Sequence, residues 1–230
     1  MIAARRGSSV ISVPCSVICV SHATGSGGDE VGPLVAERLG FLHVDEEIVA
    51  RAAARGGVLP ADVANEERRK SLAKRILGSI AEGGSGVMAV GAGALPIVVG
   101  DERSSSEMQA LIREAIEQTA ARGGVVITAH AASHALEPCA SILRVFVTAS
   151  PRTRARRVSE QGDVDMVAAE RIVKSGDAGR RDYLKRFYDV AEELPTHYDL
   201  VVNTDSISNV DAAELVVHVA GGRSTVTVPA

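Results

Sequence analysis

Tryptophan is absent from this 230-residue sequence, which also holds only three Phe and three Tyr. A core of ordinary size must then be packed from Ala, Val, Ile and Leu, close-fitting and without rings. Cysteine is scarce too, and Cys15, Cys19 and Cys139 form no CxxC or Cys/His metal spacing. An odd number of cysteines in a chain of this length implies free, buried thiols in a reducing cytosol. There is no excess of positive charge. At a net charge of −4 the chain has no electrostatic footprint for general nucleic-acid binding. Long apolar runs are missing as well: GVMAVGAGALPIVVG, at 86–100, is too short and too rich in glycine to span a bilayer. Arg5 and Arg6 precede GSSVISVPCSVICVSHA, which has the outline of a secretion signal. Pro14 before Cys15 makes a poor lipoprotein cleavage site, and the run passes straight into a glycine loop. It reads as a strand in a cytoplasmic protein with no membrane partner.

What is present alternates. SVICVS (16–21) is a short β-rich run suited to a buried parallel strand. From Glu30, the residues Val31, Leu34, Val35 and Leu39 recur at helical spacing, and Gly40 closes that helix. FLHV, ending at Asp45, is a second strand, followed by a helix through Ile48, Val49 and Ala52. A polar helix or helix pair covers 61–82, and 83–105 is irregular. SEMQALIREAIEQTAARGG is the clearest helix, with Ser106 and Gln109 as a capping box and Gly123 as its end. Strands VVITA (125–129) and ILRVFVT (142–148) follow, then a helix opened by Ser150-Pro151. Two further helices are expected over 164–190, a last strand at YDLVVN (198–203), and a helix capped by Asn209. The tail, 223–230, is expected to be flexible. Strands alternating with helices imply an α/β fold with a parallel sheet covered on both faces. The helix-rich interruptions at about 46–105 and 160–190 mark two mobile lobes.

One stretch carries chemistry: SHATGSGGDEVGPLVAERLG, at 21–40. A glycine loop leaving a buried strand and opening a helix points backbone N–H groups at one spot, and the helix dipole adds partial positive charge there. Gly25, Ser26, Gly27 and Gly28 suit a phosphate. Yet the pattern G-x-x-x-x-G-K-[ST] is broken. His22 stands at its first glycine, Gly28 at its lysine and Asp29 at its hydroxyl residue. Asp29 and Glu30 favour the dipole but repel bare phosphate, a sign that Mg²⁺ between them would reverse. A plain strand-to-helix turn is the competing reading.

FLHVDEEIVARAAAR resembles the part of cytidylate kinases where a strand ends in Asp and an Arg follows six residues later, here Asp45 and Arg51. Gly-Ser-Gly-Gly without lysine is common in the cytidylate kinase-like family of P-loop proteins, to which the chain is similar over about 16–220. GGVVITAHAA, RVFVTASPRTRARRV, GRRDYLKRFYD and YDLVVNTDSISNVDAAELV continue the likeness. The resemblance implies a three-layer P-loop kinase fold, with a five-stranded parallel sheet and helices on both faces. One domain would cover 1–222, with its core at about 15–45 and 106–222. The inserted acceptor-binding lobe would lie at about 46–105 and a helical lid at about 160–190. It also implies transfer of the γ-phosphoryl group of ATP, with Mg²⁺, to CMP or a similar small acceptor. Gly25, Ser26, Gly27, Gly28, Asp29 and Glu30 would then hold the donor, and Asp45, Arg51 and His130 the acceptor. Arg180, Arg181 and Lys174 would be the catalytic cations of the lid.

The departures from that family are specific. Its Gly-Arg-Asp after the third strand is here Ala129-His130-Ala131, and two further lid-arginine positions hold Ser175 and Ala178. No acidic residue ends VVITA to hold a metal. Alternatives therefore stay open: a catalytically degenerate nucleotide-binding regulator, or a kinase of a different small metabolite. His130 is a polar contact at the acceptor site or a partly buried histidine bonded to backbone. His134, four residues on, lacks a third ligand, so no metal site is assigned. Arg152, Arg154, Arg156 and Arg157 crowd one helix and read mainly as a solvated face, with one of them approaching adenine or phosphate. The run 86–100 lines a pocket, supplies a homodimer contact, or packs on the core.

Overall fold

The computed structural model describes residues 10–11, 15–45, 48, 105–129, 132–222 and 226–227. In chain order its elements begin with β1 (Val10–Ile11), β2 (Val17–His22), α1 (Gly28–Leu39) and β3 (Leu42–Asp45). Next come α2 (Ser105–Ala121), β4 (Val125–Thr128), the short α3 (Ala132–Ala135) and β5 (Ile142–Thr148). The chain continues through α4 (Pro151–Gly162), α5 (Met166–Tyr188), β6 (Leu200–Asn203), α6 (Asn209–Gly222) and β7 (Val226–Thr227). The inserted lobe expected over 46–105, with Arg51 and the run 86–100, lies almost wholly outside the described residues, as does His130.

Five strands form one parallel sheet in the order β3-β4-β2-β5-β6. Alternation along β2 divides the core. Val17 and Cys19 face one layer with Val125, Ile127, Ile116 of α2 and Ala132 of α3. Ile18 and Val20 face the other, with Val31 and Val35 of α1, and Ala212 and Val216 of α6. Because both faces are covered, the central strands read as continuous apolar runs. The most deeply buried large side chains are Ile, Leu and Val, the aliphatic core that the lack of rings requires. Cys15 and Cys19 are buried, and burial pushes the Cys19 thiol up to about 12. Cys139 departs from expectation: it is exposed, beside the Ser141 hydroxyl.

Helix boundaries follow their caps. Ser150 accepts from the Thr153 N–H with Pro151 at the first helical position, and Asp165 accepts from the Ala168 N–H. One difference is substantial. Where two helices are expected over 164–190, a single 23-residue α5 runs from Met166 to Tyr188. Its buried residues Ala169, Val173, Arg180 and Leu184 keep one helical stripe through Gly176 and Gly179, so packing outweighs the roughly 1 kcal/mol each glycine costs. A second difference is one residue wide: the Ser208 hydroxyl, not Asn209, accepts from the Asp211 N–H and caps α6. In the tail, Val226 and Thr227 pair antiparallel with Val10 and Ile11.

Candidate functional site

Every strand of a parallel sheet delivers its C-terminal end to the same edge, where ligands of open α/β folds collect. Here that edge carries the glycine loop after β2, Asp45 closing β3, Ala129 after β4, Ser150 after β5 and Thr204 after β6. The loop turns on two glycines in left-handed backbone, Gly25 at φ 75° and Gly27 at φ 85°. Gly27 opens α1 with no side-chain cap. The N–H groups of Gly25, Gly27 and Gly28 meet no acceptor among the described residues. Only the Ser26 N–H folds back, onto the Ala23 carbonyl at 3.0 Å. The Thr24 and Asp29 N–H groups likewise meet none among the described residues, so the glycine donors belong to a row of open amides at the positive end of a helix dipole, a site suited to an anion.

The broken consensus has a steric cause. A Cβ placed on Gly28 would lie 2.2 Å from the Cβ of His22. The side chain that replaces the first glycine of the pattern occupies the space that the lysine stem would need. With a side chain at position 22, position 28 must be glycine, so the two departures are linked.

The outer side of the loop is held by α4 and β6. Arg154, 5% exposed, donates from Nη1 to the Thr24 carbonyl at 3.2 Å and from Nε to the Ala149 carbonyl. Its fork also takes both oxygens of Asp177 on α5, each at 2.8 Å. Arg157 donates to the Ser26 carbonyl at 3.0 Å, to the Thr204 hydroxyl at 2.9 Å and to the Thr204 carbonyl at 2.7 Å. The Thr204 hydroxyl itself donates to the Ser26 carbonyl at 2.7 Å. Sequence reasoning placed these arginines mainly on a solvated face. The available signal was their spacing, since residues three apart just after a strand's C-terminal end share the side that faces the loop.

Asp29 is exposed on the first turn of α1. Glu30 is turned away, its carboxylate accepting from Asn209 at 2.7 Å and from Gln161 at 3.2 Å. Asn209 also fills the space beside Gly27, where a Cβ would meet it at 2.4 Å.

The expected lid rests on the loop. Gly176 of α5 comes so near Thr24 that a Cβ would lie 2.2 Å from its hydroxyl. Lys174 and Arg181 are exposed, with no ion-pair partner among the described residues. Arg180 is placed differently. It is 7% exposed, donates to Glu193 at 2.9 Å and to the Tyr198 hydroxyl at 3.2 Å, and lies over the Phe146 ring. Burial opposes both charges of this pair, but the hydrogen bonds and mutual attraction prevail. The Glu193 carboxyl is held below its usual range and the Arg180 guanidinium above its own. Beside them, burial pulls His134 down to about 4.

On the acceptor side, Asp45 accepts from the Ile48 N–H at 2.9 Å. Register places Asp45 level with Thr128 of β4, itself level with Val20 of β2. Asp45 thus stands two strands, about 10 Å, from the loop strand. Next to it the His43 ring and the Thr128 hydroxyl share a 3.0 Å hydrogen bond. Two shallow depressions lie elsewhere, one along α6 near His218 and one at the opposite edge of the sheet near Ser16.

Among solved structures, an uncharacterized protein from Eubacterium ventriosum aligns at TM-score 0.59 with 15% identity, over 89% of this chain and 98% of that one. A shikimate kinase from Bacteroides thetaiotaomicron aligns at 0.44 with 13% identity, covering 88% and 96%. A shikimate kinase from Acinetobacter baumannii, in complex with shikimate, aligns at 0.45 with 12% identity, covering 89% and 92%. No curated protein matches the sequence. The cytidylate kinase-like family matches residues 17–206, which span the whole five-stranded sheet. The chain belongs to the cytidylate kinase-like family, and is a kinase-like protein of the nucleotide-binding kind.

Proposed function

We propose that the chain holds the phosphates of ATP against the loop Thr24–Asp29 and transfers the terminal phosphoryl group to a small acceptor, CMP or another. The observation that carries this reading is the uncapped start of α1, where the Gly25, Gly27 and Gly28 N–H groups have no acceptor among the described residues. Phosphoryl transfer asks little covalent chemistry of a protein; it asks for positioning and for charge to be neutralised. The loop amides would position the donor, and Lys174 and Arg181 would bring positive charge from the lid. Asp45, Arg51 and His130 would hold the acceptor, and closure of α4 and α5 would exclude water.

The donor set fits Mg²⁺ through one residue. Asp29 is an exposed carboxylate on the first turn, whereas Glu30 is taken up by Asn209 and Gln161. One carboxylate beside substrate phosphates is an ordinary Mg²⁺ arrangement, and the ion would offset phosphate charge there.

A second reading has its own support. Arg154 and Arg180, two buried cations of this region, are both committed to carboxylates within the fold. A non-catalytic nucleotide-binding regulator that works by lid closure would look the same. ADP release with each nucleoside monophosphate, across a range of Mg²⁺ concentrations, separates the two. Turnover that Arg51→Ala abolishes supports the kinase. Nucleotide binding without turnover for any acceptor favours the regulator. Absence of ATP, ADP and CMP binding at millimolar concentration would remove both.

A further inference from the structure

A phosphate loop that lacks its lysine must find positive charge elsewhere, and the fold supplies one from behind. In a planar trans peptide the C=O and the N–H point in opposite directions. The Ser26 carbonyl and the Gly27 N–H belong to one such unit, as do the Thr24 carbonyl and the Gly25 N–H. Arg157 and the Thr204 hydroxyl hold the first carbonyl, at 3.0 and 2.7 Å, and Arg154 holds the second at 3.2 Å. Fixing each carbonyl on the α4 side turns its N–H to the opposite side. The two arginines differ in charge state. Arg154 is neutralised by the bidentate Asp177. Arg157 binds only neutral oxygens, those of Ser26 and Thr204, and has no carboxylate partner among the described residues.

We propose that Arg157 is a positioning residue that replaces the missing loop lysine: it grips the Ser26 carbonyl, aims the Gly27 N–H at an anion, and adds its unneutralised charge through that peptide unit. The charge need not touch the ligand. At the few-ångström depth of one peptide unit, and with an effective dielectric constant near 20, a unit charge still acts strongly on an anion. His22 and Gly28 explain why the lysine cannot return to its usual place, so the cation reaches the loop from another element. This inference rests on the anion-binding reading of the loop, and predicts how affinity depends on ligand charge.

The test is calorimetric titration of the full chain with inorganic tripolyphosphate, ATP and adenosine at two salt concentrations. The expected result for Arg157→Gln is a loss of roughly tenfold or more for tripolyphosphate and ATP. Adenosine affinity should change less than about twofold, and the salt dependence of ATP binding should become shallower by about one charge. Arg157→Lys, which keeps the charge, should stay within about threefold of the parent. Equal losses for ATP and adenosine, or unchanged tripolyphosphate affinity, would overturn the role. Should the Gln variant fail to fold, Arg157→Lys decides: retained tripolyphosphate affinity supports the proposal, and a loss shared with adenosine contradicts it. If the unaltered chain binds none of the three, the nucleotide reading itself fails, a different result from a variant that binds as its parent does.

Discussion

Two arginines, 23 residues apart, are both drawn into the protein, with opposite electrostatic results. Arg157 ends among neutral oxygens at the back of the glycine loop, half-buried, its charge intact. Arg180 ends against Glu193 and Tyr198, 7% exposed, its charge cancelled. The first placement directs charge at a site. The second fastens the far half of α5 to the segment before β6. The family likeness assigns Arg180 to phosphoryl transfer, and Arg180 reaches a ligand only after giving up Glu193. Burial and pairing decide what an arginine can do, and sequence position decides neither.

The largest effect should come from stranding the buried cation. Glu193→Ala leaves Arg180 without its carboxylate and should destabilise the chain by about 3–5 kcal/mol, read as a fall of roughly 10 °C in melting temperature. A double replacement, Arg180→Met with Glu193→Leu, should recover most of that loss, because two apolar groups replace a desolvated pair. A double variant no more stable than Glu193→Ala would show that the pair is needed for more than neutrality.

Next is the loop itself. Gly25→Ala combines left-handed backbone with a Cβ 2.7 Å from the Arg154 carbonyl oxygen. A cost of about 1–3 kcal/mol is expected, along with loss of tripolyphosphate binding by calorimetry. A variant of unchanged affinity would mean that the loop's shape does not matter to the ligand.

Asp177→Asn sharpens the contrast between the arginines. Removing that carboxylate unmasks Arg154 behind the Thr24 carbonyl, as Arg157 already is behind Ser26. Tripolyphosphate should then bind several-fold more tightly at low salt. The stability loss should be smaller than that of Glu193→Ala, because the amide keeps an oxygen acceptor for the buried Arg154 and position 177 is more open to water than position 193. Weaker binding would place the importance of Asp177 in holding α5 rather than in cancelling charge.

A smaller, pH-dependent effect belongs to the Arg180 side. Burial lowers His134 from 6.5 to about 4 in the folded state, against opposing attraction from Glu193. Between those values the unfolded chain takes up a proton that the folded chain refuses. Stability should therefore fall as pH drops from about 6.5 toward 4, and flatten below. Urea unfolding midpoints across that window should show the slope in the parent and lose it in His134→Phe. Glu193, lowered, contributes at acid pH in the same sense, with its loss confined below the usual carboxylate range. The smallest effect is at the surface: Arg38→Ala, which breaks the pair with the exposed Glu214, should cost under about 1 kcal/mol.

The sheet was legible because buried parallel strands are short apolar runs, and ILRVFVT matches β5 residue for residue. Two helices were expected where the single α5 stands, and Gly176 and Gly179, poor helix formers in its middle, give no sequence sign of that continuity. Gly176 is there for contact, admitting the Thr24 hydroxyl where a side chain would not fit. The exchange of His22 and Gly28 was visible as two broken positions, but their complementarity is three-dimensional. Arg154 and Arg157 stayed hidden because a helix face of arginines looks solvated until a neighbouring loop is built onto it. Asn209 was read one residue out. Ser208 caps the helix, and that shift frees the Asn209 amide for Glu30 beside Gly27.

The most direct measurement of the central claim is of the loop amides. ¹⁵N-resolved spectra of the chain should be followed while inorganic tripolyphosphate is added. The Gly25, Gly27 and Gly28 N–H resonances should move downfield together and saturate, with the Ser26 resonance, already bonded to Ala23, moving least. Silent glycine amides beside shifts elsewhere would contradict the claim that an anion is held at the mouth of α1.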